Sequence, residues 1–260
     1  MIRRSFLARL GSASAAALAA GPLAGCGGPS YQTRFRLTVE IDTPEGVKSG
    51  SSVIEINYRD DTKTWAPVTA QRLQVSMKGE AVFVDLGAGK HVIALLAAGP
   101  TAQGDLDEIV RISFGSLPLE EYGRYQSMGS REVPPAGHPT LVTFADLADP
   151  ASAKVVYATG RDVRLIPTAP GSTSGSYKDF GPLTIDRFAE TFGPGYALKG
   201  VFIQMTTDPI TRGIEGKVIG LKNIDEWNRK VGMWADSTRA TPASASNIPS
   251  VGSMAFIRKN

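Results

Sequence analysis

The chain has 260 residues, of which 28 are Lys or Arg and 25 are Asp or Glu, with two histidines and one cysteine. Three of the arginines and no acid fall within the first 25 positions, so the remainder is balanced at 25 of each sign. That balance excludes a charge-driven nucleic-acid binder, and a single thiol excludes any disulfide within the chain.

Residues 1–25 have the composition of an export signal. Arg3, Arg4 and Arg9 make a positive n-region; Gly11 to Ala20 is Ala-rich and uncharged. This apolar stretch is too short for a membrane span, which needs about 20 residues. Gly21-Pro22 breaks any helix, and the small residues Ala24 and Gly25 lead into Cys26.

Leu23-Ala24-Gly25-Cys26 resembles the lipobox of bacterial lipoprotein precursors. The resemblance implies that Cys26 carries the lipid, that the signal is cut before it, and that the new amine is often acylated too. Arg3-Arg4-Ser5-Phe6-Leu7 resembles the core of a twin-arginine signal, an export class that carries folded proteins. Ile2 and Ala8 depart from that pattern, so the route stays open between twin-arginine and general secretory export. Each buried CH₂ contributes about 0.8 kcal/mol, and two or three acyl chains give stable attachment without a span. The expected partner is thus a lipid bilayer through acylated Cys26. Gly27, where an Asp would resemble an inner-membrane retention signal, favours the periplasmic face of the outer membrane.

Residues 26–32 read as a short Gly/Pro/Ser-type tether. A β-rich region follows over 33–133. Arg34 to Thr43 alternates, with Phe35, Leu37, Val39 and Ile41 on one face; Ser52 to Tyr58 offers Ile54, Ile56 and Tyr58 to a core. Arg72 to Met77, Ala81 to Leu86 and His91 to Ala97 are three further strands, with hairpin-type turns at Lys78-Gly79 and at Gly87-Ala88-Gly89-Lys90. Asp105 is placed to cap a helix through about Phe114, and Leu119 to Met128 reads as a second short helix.

Pro134-Pro135-Ala136-Gly137 marks a loop and the start of a mixed region over 134–236. It holds a buried strand at Leu141 to Phe144, the turn Asp146 to Pro150, and short strands at Val155 to Tyr157 and Val163 to Ile166. Ala169 to Lys178 reads as a loop, Thr184 as the cap of a helix through Phe192, and Ala197 to Thr206 as a strand. Ile224 to Val231 reads as a terminal helix, and 237–260 as a loosely ordered tail. The fold class expected is α+β, mainly antiparallel β: an N-terminal β-meander or sandwich half followed by a mixed α/β second half.

Several of these stretches together resemble an uncharacterised family of α-proteobacterial proteins. They are Leu37 to Glu45 with Gly50 to Glu55, Gly79 to Leu86, and Leu141 to Pro150. Phe192-Gly193-Pro194-Gly195 with Lys199, and the run from Asp208 to Glu215, complete the set. The resemblance implies one evolutionary unit and attaches no activity to it.

Complete catalytic motifs fail on inspection. Gly89-Lys90 lacks the upstream Gly of a phosphate loop, where Val84 stands, and the following Ser or Thr, where His91 stands. Gly171 to Gly175 has Thr at the centre of what would be an esterase elbow. His91 and His138 are far apart and lack a carboxylate at ligand spacing, so no metal or other cofactor is expected. The remaining constellation is acidic: Asp146, Asp149, Asp208 and Glu215, all in turns after strands. Clustered carboxylates suit a hard cation or glycan hydrolysis, whereas Asp before Pro is also a plain turn former. The sequence therefore points to a membrane-anchored envelope lipoprotein serving as a binding or structural module for an envelope protein or polymer. An envelope hydrolase using Asp149, Asp208 and Glu215 is the alternative.

Overall fold

The computed structural model describes residues 29–60, 73–102, 104–168, 174–239 and 252–259. The fold is α+β and mainly antiparallel, built as two facing sheets. Strands β1 (Ser30–Thr43), β2 (Gly46–Asp60) and β3 (Leu73–Glu80) form an antiparallel meander. The chain then crosses to the second sheet with β4 (Val82–Gly87) and β5 (Lys90–Ala98). A two-residue turn joins these last strands, and its central residues Ala88 (φ 51) and Gly89 (φ 76) both take the positive φ that tight hairpins favour.

The next elements are β6 (Gly104–Asp105), helix α1 (Ile109–Phe114), a 3-10 segment at Leu119–Ser127 and β7 (Ser130–Glu132). They are followed by β8 (Pro139–Phe144), β9 (Ala153–Pro167), β10 (Gly175–Asp186), α2 (Phe188–Phe192), β11 (Ala197–Met205), α3 (Ile224–Arg239) and β12 (Ile257–Lys259). The first sheet has the order β12-β3-β2-β1-β11-β7 and the second β10-β9-β8-β5-β4, with β6 beside β5. Regions 33–133 and 134–236 therefore share both sheets rather than standing side by side.

Alternation explains the main core. Phe35, Leu37, Val39 and Ile41 of β1 and Ile54, Ile56 and Tyr58 of β2 are buried against Val82, Val84, Leu86, Val92, Ala94 and Leu96 of the second sheet. The opposite face of the second sheet has its own apolar cover. Ile93, Leu95, Val142, Phe144 and Val155 pack with Trp227 of α3 and with Phe256. Covered on both faces, β8 is buried along its whole length, as its near-continuous apolar run requires. Between the sheets, β2 approaches β4 at Gly50, where a Cβ would lie 2.2 Å from the Phe83 carbonyl oxygen. Among the described residues, no helix is long and apolar enough to cross a membrane.

Several expectations need correction. Lys78-Gly79 is not a hairpin turn: both residues lie within β3, which pairs with β2 and β12, and the chain changes sheet at Ala81. Asp105 sits in β6 paired with Ala97, and α1 begins four residues later without a side-chain cap. Thr184 caps no helix; it lies in β10 opposite Thr159, and the helix at 188–192 is preceded by Asp186, whose carboxylate accepts from the Phe188 N–H. The loop expected over 169–178 is strand from Gly175 onward, paired with a single β9 where two short strands were expected. Within the tail, 252–259 is packed: Phe256 is fully buried and β12 extends the first sheet.

Candidate functional site

The most organised polar region lies on the outer face of the first sheet. Arg34, Glu55 and Lys78 stand on one rung of neighbouring strands β1, β2 and β3. Beyond β11 the chain runs across this face as a strap, from Thr206 to Gly213. It leaves beside β1, where Thr206 N–H donates to the Arg34 carbonyl (3.0 Å), and reaches the far edge of β2. There Thr211 donates its N–H to the Val53 carbonyl (3.2 Å), while Val53 N–H donates to Thr211 Oγ1 (2.8 Å). Thr211 thus satisfies the edge groups of β2 that β3 vacates when it leaves the sheet.

Beside the strap lies a buried charge. Glu55 is only 4% exposed, although it lies on the face that alternation assigns to solvent. Arg34 Nη2 and Nε donate to Glu55 Oε2 at 2.6 and 3.3 Å, Asn57 Nδ2 donates to Oε1 at 3.1 Å, Gln32 Nε2 also donates, and Lys78 Nζ lies 3.7 Å away. Burial acts to raise the carboxyl pKa. The hydrogen bonds from Arg34 and Asn57, the Arg34 charge and the Gln32 bond together outweigh it, and the net shift is downward. The other arm of the Arg34 fork, Nη1, donates to the strap carbonyls of Thr207 (3.3 Å) and Asp208 (3.1 Å).

Asp208 pairs with Arg36 at 2.6 Å. Hydrogen bonds from Thr206 and then Arg36 hold its carboxyl below the usual range. Its position makes it an anchor of the strap. Next to the strap, Lys78, Glu80, Arg212, Glu215 and Arg258 border a groove of about 150 Å³. That is well below the roughly 300–1,000 Å³ of ordinary ligand pockets. The Glu80 carboxylate, buried, accepts from the Ile214 N–H at 2.8 Å and pins the strap's far end.

The other acidic candidates lie on the second sheet. Asp146 accepts from Ala148 N–H at 2.8 Å, and Asp149 accepts from Ala151 N–H at 3.0 Å at the start of a 3-10 turn. Both belong to the β8–β9 connection. Asp149 and Asp208 are therefore held on different sheets, Asp149 by its own turn and Asp208 by Arg36 of β1, and of the acidic candidates Glu215 borders the groove. Among the described residues, no group of three or more His, Cys, Asp or Glu is placed to hold a metal ion.

Both histidines are buried. His91 stacks on Phe83 with centroids 5.5 Å apart, and burial lowers its pKa despite a contact with the Gly89 carbonyl. His138 Nε2 lies 2.9 Å from the Val133 carbonyl and Nδ1 lies 3.2 Å from the Tyr157 hydroxyl. Those partners fix the neutral tautomer protonated at Nε2, and burial lowers this pKa as well.

Arg3, Arg4, Leu23, Ala24, Gly25 and Cys26 lie outside the described residues. Sequence reasoning missed Arg34, Glu55 and Glu80. The available signal was Glu55 itself, a charge between Ile54 and Ile56 directly opposite Arg34, but the strap that Arg34 also holds comes from some 170 residues away. Set against known proteins, the chain matches no family model, no curated protein and no solved structure.

Proposed function

We propose that this chain is a bacterial envelope lipoprotein, anchored through acylated Cys26, whose sandwich serves as a binding or structural module. The observation that carries the reading is the sole cysteine placed behind Leu23-Ala24-Gly25 at the end of a cationic, then Ala-rich, leader. Its distance from the folded body supports it: β1 begins at Ser30, leaving a tether of a few residues. The periplasmic face of the outer membrane is the proposed location, reached by the twin-arginine or the general route. A module is favoured over a carboxylate hydrolase because Asp149 caps a turn and Asp208 holds the strap, so neither faces the other across a cleft. Replacing Cys26 by Ser tests the reading: the variant is expected to lose acyl incorporation and to retain its leader. Unchanged acylation or normal cleavage of the variant would overturn it.

A further inference from the structure

Beyond the body of the sandwich, β9 and β10 continue as a two-stranded arm. Gly160 packs on Pro100, where a Cβ would meet its Cδ at 2.7 Å, and the pairing runs on from Leu183–Gly160 to Gly175–Pro167. The seven steps from Gly160 to Pro167 span about 23 Å at 3.3 Å per residue. Four of the seven large apolar side chains found exposed among the described residues lie on this arm: Val163, Ile166, Tyr177 and Phe180, with Tyr177 77% exposed. Cations accompany them. Lys178 Nζ lies 5.3 Å from the Phe180 ring centre and Arg161 pairs with Asp179.

The arm leaves the sandwich at the end where β1 begins. Tyr31 pairs with Tyr58, whose hydroxyl donates to the Asp107 carbonyl at 3.4 Å; Asp105 pairs with Ala97 at the close of β5, two residues before Gly99 and Pro100, against which Gly160 packs. Ser30 is four positions beyond Cys26, and four fully extended steps reach at most about 14 Å. A lipid on Cys26 would thus hold this end nearer to the bilayer than the arm is long. Aromatic rings with cationic neighbours suit the bilayer–water boundary, where rings sit at headgroup level and Lys and Arg reach anionic lipid.

We propose that the β9–β10 arm is a second membrane contact, seating Tyr177 and Phe180 in the interface of the bilayer to which Cys26 is anchored. The inference rests on the lipoprotein reading above. Acylation consumes the Cys26 thiol, so in the lipidated full chain a Tyr177→Cys substitution supplies the one reactive thiol. The same holds for Glu45→Cys, at the β1–β2 turn on the opposite end. Each variant is labelled with a polarity-sensitive fluorophore and reconstituted in vesicles of phosphatidylethanolamine and phosphatidylglycerol. The expected result is one label per chain, with emission from position 177 blue-shifted and quenched by nitroxide-bearing lipid, and emission from position 45 unaffected. One label per chain with matching emission at both positions overturns the arm contact and leaves the anchor standing. A shift at 177 that follows protein concentration rather than lipid indicates a second copy on the arm and also overturns it. Two labels per chain show Cys26 unacylated and overturn the anchor and the proposal together.

Discussion

Arg34 bonds Glu55 at 2.6 Å with one arm of its guanidinium and the Asp208 carbonyl at 3.1 Å with the other. One side chain therefore neutralises a buried carboxylate and fastens the strap to this face of the sheet. Removing Arg34 leaves Glu55 covered and short of its main partner. Breaking such a pair costs about 3 kcal/mol, the low end for buried pairs because Arg34 itself is partly exposed. Arg34→Ala is expected to lose that much in urea unfolding, and Arg34→Lys less, since an ammonium keeps the charge but not the fork. A loss of only about 0.5 kcal/mol would show that the pair behaves as a solvent-exposed one.

The approach of β2 to β4 makes Gly50 sensitive for a reason unrelated to φ. A Cβ there would sit 2.2 Å from the Phe83 carbonyl oxygen, a backbone atom that cannot swing away. Gly50→Ala is expected to destabilise at the upper end of the roughly 1–3 kcal/mol of overpacking changes. Gly216→Ala, where a Cβ meets nothing within 4 Å, is the matched control and is expected to stay within about 0.5 kcal/mol. Equal thermal shifts for the two would contradict the packing.

Phe256 closes the second core, 5.6 Å edge-on from Trp227 and 6.0 Å from Phe144. Phe256→Ala is expected to cost about 3–5 kcal/mol, as for other buried aromatic truncations. Near-neutral behaviour in denaturant would show that the final residues are not part of the packed body.

Acid sensitivity should have two stages. His91 and His138 are held below their usual value of 6.5, so the unfolded chain binds more protons than the folded one just below that pH. Stability is therefore flat above about pH 7, from the unfolded histidine value, and falls as pH drops below 6.5. Glu55, depressed from 4.5, adds stability above that value that is lost as pH falls further through its folded pKa. Melting temperature against pH, with NMR titration of the His138 ring, checks this. A ring titrating at or above 6.5 would contradict the buried neutral tautomer.

Legibility in the sequence followed burial. Where one strand face meets a core, as at Phe35 to Ile41 or Ile54 to Tyr58, alternation located the strand and its inner side. Gly175 to Lys178 has a loop's composition because that strand has no core to alternate against, and its pairing to β9 leaves Tyr177 in solvent. Lys78-Gly79 carries a turn's composition, yet the change of sheet at Ala81 depends on β12, nearly 180 residues later. Asp149 and Asp208 read first as turn residues, and the structure gives Asp149 a local partner in Ala151 and Asp208 a distant one in Arg36. The bond from Arg34 to the strap was out of reach, because Thr207 and Asp208 lie more than 170 residues away and leave no periodic trace in β1.

The most direct test of the lipid anchor is the intact mass of the protein extracted from its own membranes. The account predicts residues 26–260 plus a diacylglyceryl thioether on Cys26, with or without a third acyl chain on its amine. A mass matching the full chain, or a cleaved chain bearing an unmodified thiol, would contradict it.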